Sequence, residues 1–155
     1  MQPQQQPPHR APGTMGQFRV FGVPVRFHFT FWVGLVWLIF IGVGGQQSVL
    51  GNTIYVVALF TSVLLHEAGH ALVARRFGIA TVEIVMLPLG GLARLERQPK
   101  PAEEFWVALA GPLVNCVIGV SLLAAVFLQG HPIQWSDWTS ATDAILISRL
   151  AVANL

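Results

Sequence analysis

Between Val49 and Val73 the only imidazole or charged side chains are His66, Glu67 and His70, in a segment that is otherwise mainly apolar. A segment of that length and character matches the roughly 20 residues that cross a hydrocarbon core about 30 Å thick. Two further segments, about 27–43 and 105–128, have the same character, and a fourth apolar run begins near Ala141 and continues to Leu155. Over the chain, apolar residues make up 54 % and charged residues 10 %, against roughly 25 % charged in ordinary globular domains. So few charges cannot cover a water-facing surface, and a lipid bilayer is the solvent that fits. The expected fold class is an all-α polytopic membrane protein, a multi-span helical bundle with a small membrane-associated β-hairpin.

The basic residues set an orientation. Arg10, Arg19 and Arg26 precede the first span, and Arg75, Arg76, Arg94, Arg97 and Lys100 lie between the second and third. The loops near 44–48 and 129–140 contain no Lys or Arg. By the positive-inside rule, the N-terminus and the 74–104 segment face the cytoplasm, and Trp135 and Trp138 fit an interfacial belt on the outer side. The net charge of +2 comes with no basic run interleaved with aromatics, so nucleic acid is not an expected partner. Cys116 has no second cysteine to pair with. Residues 1–17, rich in Gln and Pro, read as a disordered tail, with 18–155 as the membrane core. Residues 1–26 hold no apolar core of signal-peptide type, which leaves the first span to act as the targeting signal.

Phe18–Val25 reads as a short strand or interfacial segment. Between the second and third spans, Thr81–Leu87 has strand character, Pro88-Leu89-Gly90-Gly91 supplies turn chemistry, and Leu92–Glu96 returns as a second strand. From Ile84 to Ala93 there is no charge. A hairpin dipping beside the helices, its backbone satisfied by protein, and a hairpin lying on the membrane surface both accommodate that pattern.

His66-Glu67-Ala68-Gly69-His70 has the form HExxH. On a helix, residues four apart share a face, so both imidazoles can reach one ion. Zinc accepts imidazole nitrogen, and a catalytic site keeps one position for water, whose pKa falls to about 7 in favourable cases. Glu67, beside the first ligand, is placed to take a proton and return it to a leaving amine. The bland reading is a chance match or a buried polar cluster. Ionisable groups inside a membrane helix are expensive and usually functional, and that weighs for the metal.

A catalytic zinc normally has three protein ligands, and the motif supplies two. His66 and His70 lie nine and five residues before Arg75, on the order of 8–14 Å inside the cytoplasmic edge. The fourth span enters from the other side and needs roughly 14 residues to reach that depth, at or just past Leu155. Asp143 falls some 20 Å away along the axis by the same measure. Glu83, Glu96, Glu103 and Glu104 read as solvated cytoplasmic groups, and His131 and Asp137 belong to the outer loop. In the third span, Ala108, Gly111, Asn115 and Gly119 recur at helical spacing, a small face suited to close helix packing, with Pro112 expected to kink the helix. Asn115 reads as a group that supports a ligand or holds substrate. His28 reads as an interfacial polar residue, and Arg149 has no assigned role.

These segments together resemble the site-2 protease family of intramembrane zinc metalloproteases: HEAGH at 66–70 in a membrane helix, FGVPVRFHFTF at 21–31, PLGGLARLE at 88–96 and ALAGPLVN at 108–115. The resemblance covers nearly everything after the tail and is nearest to the compact prokaryotic branch without a PDZ domain. It implies a three-helix catalytic core in a prokaryotic cell membrane, one zinc ion per active site, and cleavage of membrane-spanning protein substrates near the cytoplasmic leaflet. His66 and His70 match the family's metal ligands, Glu67 its base, and Gly90 and Gly91 the hairpin thought to bind substrate. The family's third ligand, an aspartate in an Asp-Gly pair on a later helix, has no match here. That is read as truncation within the fourth span, leaving this fragment alone inactive. The alternative is a non-catalytic membrane protein that binds metal or substrate helices without hydrolysis. A soluble zinc protease is disfavoured by the apolar setting of the motif.

Overall fold

The computed structural model describes residues 13–43 and 49–128, with Leu150, Ala153 and Asn154. Apart from those three residues the fourth apolar run, with Asp143 and Arg149, lies outside the described residues, as does the outer loop with His131, Trp135, Asp137 and Trp138. In chain order the elements are β1 (Thr14–Val20), β2 (Val23–His28), α1 (Phe29–Val43), α2 (Val49–Arg76), β3 (Thr81–Leu87), β4 (Gly90–Leu95) and α3 (Pro101–Leu128).

The strands form one sheet in the order β1-β2-β3-β4. Two antiparallel hairpins are joined by a parallel pairing of β2 with β3, through Val25↔Ile84, Arg26↔Val85 and Phe27↔Met86. The expected lone hairpin is therefore half of a larger sheet, and residues 14–17, read as tail, belong to β1. The first hairpin closes through Phe21 and Gly22, at φ 50° and 85°. Positive φ at both central residues is the geometry of a two-residue type I′ turn. Gly90 and Gly91 lie in β4, and the second turn consists of Pro88 and Leu89 alone.

Local chemistry sets the helix ends. His28 caps α1: its Nδ1 accepts from the Thr30 hydroxyl at 2.7 Å and faces the Thr30 amide at 3.4 Å. Because Phe27 and His28 belong to β2, α1 has only 15 residues, about 22 Å of helix, and the first span is shorter than the sequence pattern suggested. α2 carries Arg75 and Arg76 in its last turn, where cations suit the helix dipole. It stops at Gly78, whose φ of 72° accompanies bonds from the Gly78 amide to Arg75 and from the Ile79 amide to Ala74. Pro101 opens α3, and Glu103 reaches back to the Lys100 amide at 2.9 Å, one side of a capping box. α2 and α3 are each long and apolar enough to cross a membrane, and both run past the expected spans at their charged ends.

The core lies where the sheet meets α1 and α2: Val25, Phe31, Val56, Phe60, Ala71, Ile84 and Met86. Asn52 of α2 donates to the carbonyls of Leu38 and Ile39 in α1, at 3.1 and 2.7 Å, tying the two helices together. Trp32, Val36, Trp37 and Phe40 on α1, and Val117, Val120 and Phe127 on α3, are exposed, as lipid-facing side chains would be. The turn of the second hairpin reaches α1, where a Cβ on Gly34 would stand 2.7 Å from Pro88. That hairpin lies beside α1 and α2 and not beyond their ends.

Glu83 departs from the expectation of a solvated carboxylate. It is 4 % exposed and paired with Arg26 at 3.3 Å and Arg94 at 3.0 Å. Arg94 is its cross-strand neighbour on β4, and Arg26 stands diagonally across on β2, since Arg26 registers with Val85. One carboxylate thus ties three strands.

Candidate active site

Helical geometry divides the work of the HExxH segment. His66 and His70 are four residues apart on α2 and share a face, while Glu67 lies about 100° around the axis. The two imidazoles face α3. Glu67 faces β4.

The imidazole Nε2 atoms converge to 3.1 Å. On the far side of the His70 ring, Nδ1 lies 2.6 Å from the Val107 carbonyl of α3. A carbonyl can only accept, so His70 Nδ1 carries the hydrogen and its Nε2 presents a lone pair. Two nitrogens bound tetrahedrally to zinc at 2.0–2.1 Å stand about 3.3 Å apart, close to the spacing found. The pair therefore fits a zinc ion bound through Nε2. Among the described residues no third His, Cys, Asp or Glu completes the set.

Two glycines make this arrangement possible. A Cβ on Gly111 would collide with the His70 ring and stand 2.6 Å from His66 Nε2. A Cβ on Gly91 would collide with the Glu67 side chain, 2.9 Å from its carboxyl carbon. Gly91 pairs with Met86, a core residue, so it lies on the helix-facing side of β4, and its missing side chain is what lets the strand approach Glu67. Gly69 of α2 meets Ala110 and Val114 of α3 in the same close manner. His66, Glu67 and His70 are all half-buried.

The site thus gathers His66, Glu67, His70 and Gly91. Gly90 is beside it in the strand, but a Cβ added there would meet nothing within 4 Å. Asn115 lies two turns along α3 from Val107 and faces the His66 ring. Gly111, expected in a helix-packing face, also lies against both histidine rings. Its neighbour Pro112 was the available signal, because a proline in a helix loosens the backbone at that level. Ala108, grouped with the small face, is exposed instead.

Residues 54–154 match the family model of Peptidase family M50. This chain belongs to Peptidase family M50. It is similar to a zinc metalloprotease of Methanocaldococcus jannaschii, 35 % identical over 124 residues that cover 77 % of this chain and 36 % of that protein. Its fold is similar to that of the solved site-2 protease from Methanocaldococcus jannaschii, with a TM-score of 0.68 and 31 % identity, covering 92 % of this chain and 61 % of that one. The chain thus spans about a third of the length of the curated relative, in a family of zinc-dependent peptidases. Between α2 and α3 the M50 chain holds only the β3–β4 hairpin and short connections, as in the branch without a PDZ insertion.

Proposed function

We propose that this M50 chain provides the zinc-binding and proton-transferring part of an intramembrane metalloendopeptidase that cuts membrane-spanning proteins. The observation that carries the reading is the convergence of His66 and His70 Nε2 at 3.1 Å on an apolar helix, with Glu67 alongside against an edge strand. His66 and His70 hold the zinc, and a third ligand comes from outside the described residues. When bound, the metal supplies Lewis acidity to a water and to the scissile carbonyl. Glu67 takes a proton from that water and returns it to the leaving amine.

Substrate would lie along β4. Among the described residues that strand is an edge of the sheet, pairing only with β3, so its outer backbone groups are open there. A membrane-spanning segment that unwinds needs partners for its backbone, because lipid offers none, and an added strand on β4 would supply them next to Glu67. Gly90 and Gly91, at the start of β4, fall in the stretch that would hold the bond to be cut. The other edge, β1, is broken by a bulge at Gly16, which makes it a poorer template. The basic residues before α1 and between α2 and α3 support a cytoplasmic side for the sheet, the N-terminus and the site, and the membrane proposed is the cell membrane of a prokaryote.

The test is cleavage of a single-span substrate by the full-length protein reconstituted in lipid. Glu67→Gln is expected to lower cleavage by at least about 1,000-fold while zinc content stays at the parental level, since both ligands remain. Continued cleavage by Glu67→Gln overturns the role given to that carboxylate. A parent that holds zinc but cuts no substrate favours the non-catalytic binding protein.

A further inference from the structure

The two ligand rings have unequal support. His70 Nδ1 has the Val107 carbonyl. His66 Nδ1 is buried without a hydrogen-bond partner. A histidine that binds metal through Nε2 carries its hydrogen on Nδ1, and that donor ordinarily reaches a carboxylate, a carbonyl or a water that fixes the ring. Here the donor would be stranded in an apolar setting, which costs about 1–3 kcal/mol.

One acceptor nearby is equally stranded. Asn115 Oδ1 is buried with no hydrogen-bond partner, and the Asn115 side chain faces the His66 ring. The placement follows from the helix period. Val107, Gly111 and Asn115 are spaced i, i+4, i+8 on α3 and form one stripe. α3 runs antiparallel to α2, so Val107 lies level with His70 and the next positions along the stripe lie level with His66. Gly111, between them, has no side chain to hold the rings off.

We propose that Asn115 Oδ1 accepts the His66 Nδ1–H, so that one stripe of α3 orients both zinc ligands, by a backbone carbonyl at Val107 and a side-chain carbonyl at Asn115. Asn115 is then a positioning residue and not a group that holds substrate. A neutral acceptor fixes the ring without placing a second carboxylate beside Glu67. The inference rests on His66 and His70 binding zinc, as proposed above, and extends that reading to a residue on another helix.

The experiment measures zinc affinity by chelator competition in the full-length protein carrying Glu67→Gln, so that no cleavage enters the readout. Asn115→Leu is close in volume and cannot accept; it is expected to weaken zinc binding by about 10–100-fold. Asn115→Asp retains an acceptor and is expected to bind within about 3-fold of the parent. The rise in melting temperature on adding zinc, compared between parent and Asn115→Leu, should shrink in Asn115→Leu, which separates ring orientation from helix packing. In the Glu67 protein, excess zinc should restore cleavage by Asn115→Leu with an unchanged KM. Parental zinc affinity in Asn115→Leu, or a loss in Asn115→Asp as large as in Asn115→Leu, overturns the proposal. So does parental affinity with a raised KM, which returns Asn115 to substrate holding. Failure of the parent itself to bind zinc overturns the metal site as a whole, and is distinguishable because it appears before any change at Asn115.

Discussion

Each imidazole of the pair has two nitrogens with separate duties, one toward the other ring and one toward α3. That division makes the bare positions around the pair as informative as the ligands. Gly111→Ala places a methyl against both rings, and the backbone of α3 must retreat to admit it. Zinc affinity is expected to fall by more than about 100-fold, because ligand geometry and the His70–Val107 bond are disturbed together. Gly91→Ala meets Glu67 instead. It should leave zinc content intact and lower kcat by about 10-fold or more, through displacement of the carboxylate. Zinc titration and turnover on the same two variants check this split; a Gly91→Ala protein that loses its zinc would contradict it. The two histidines and the glutamate were legible in the sequence as candidates because HExxH is a local pattern, complete within five residues. The glycines were not, because what each glycine meets depends on an element 24 or 41 residues earlier in the chain. Asn115 stood out only as a polar residue where apolar ones prevail.

Among the elements, α2 is the axle, with its histidines turned to α3, its glutamate to β4 and its apolar flank to α1 and the sheet. Helix existence, and the β3–β4 hairpin, followed from apolar length and turn chemistry, both local signals. The joining of two hairpins into one sheet did not, because the parallel register of Val25–Phe27 with Ile84–Met86 links strands about 60 residues apart and leaves no mark in either. For the same reason Glu83 reads as a solvated charge until Arg26 and Arg94 are placed beside it. A buried carboxylate serving two guanidinium groups makes the sheet sensitive to its loss. Glu83→Gln is expected to lower stability by about 2–3 kcal/mol, toward the low end for a buried ion pair because Arg94 is half exposed. Arg94→Ala should lower it less, since Arg26 remains to pair with Glu83. Thermal unfolding of the detergent-solubilised protein ranks the two, and equal stability of Glu83→Gln and the parent would show that the triad contributes nothing.

For the whole molecule, the proposed function gives the apolar helices and the sheet one purpose: to hold a reactive water below the lipid surface while keeping an open strand edge beside it. His66 and His70 lie ten and six residues before the end of α2 at Arg76, on the order of 9–15 Å along the helix. The hairpin turn descends alongside, reaching Gly34 of α1. Composition pointed to apolar helices and the HExxH pattern to a candidate site, but the meeting of that site with a strand edge required the tertiary structure. Everything in this account depends on the two imidazoles holding a metal. Elemental analysis of the full-length protein, purified without added metal, is the most direct test. It should find about one zinc per chain in the parent and in Glu67→Gln, and almost none when His66→Ala and His70→Ala are combined. Zinc content unchanged in that double variant, or absent from the parent, would contradict it.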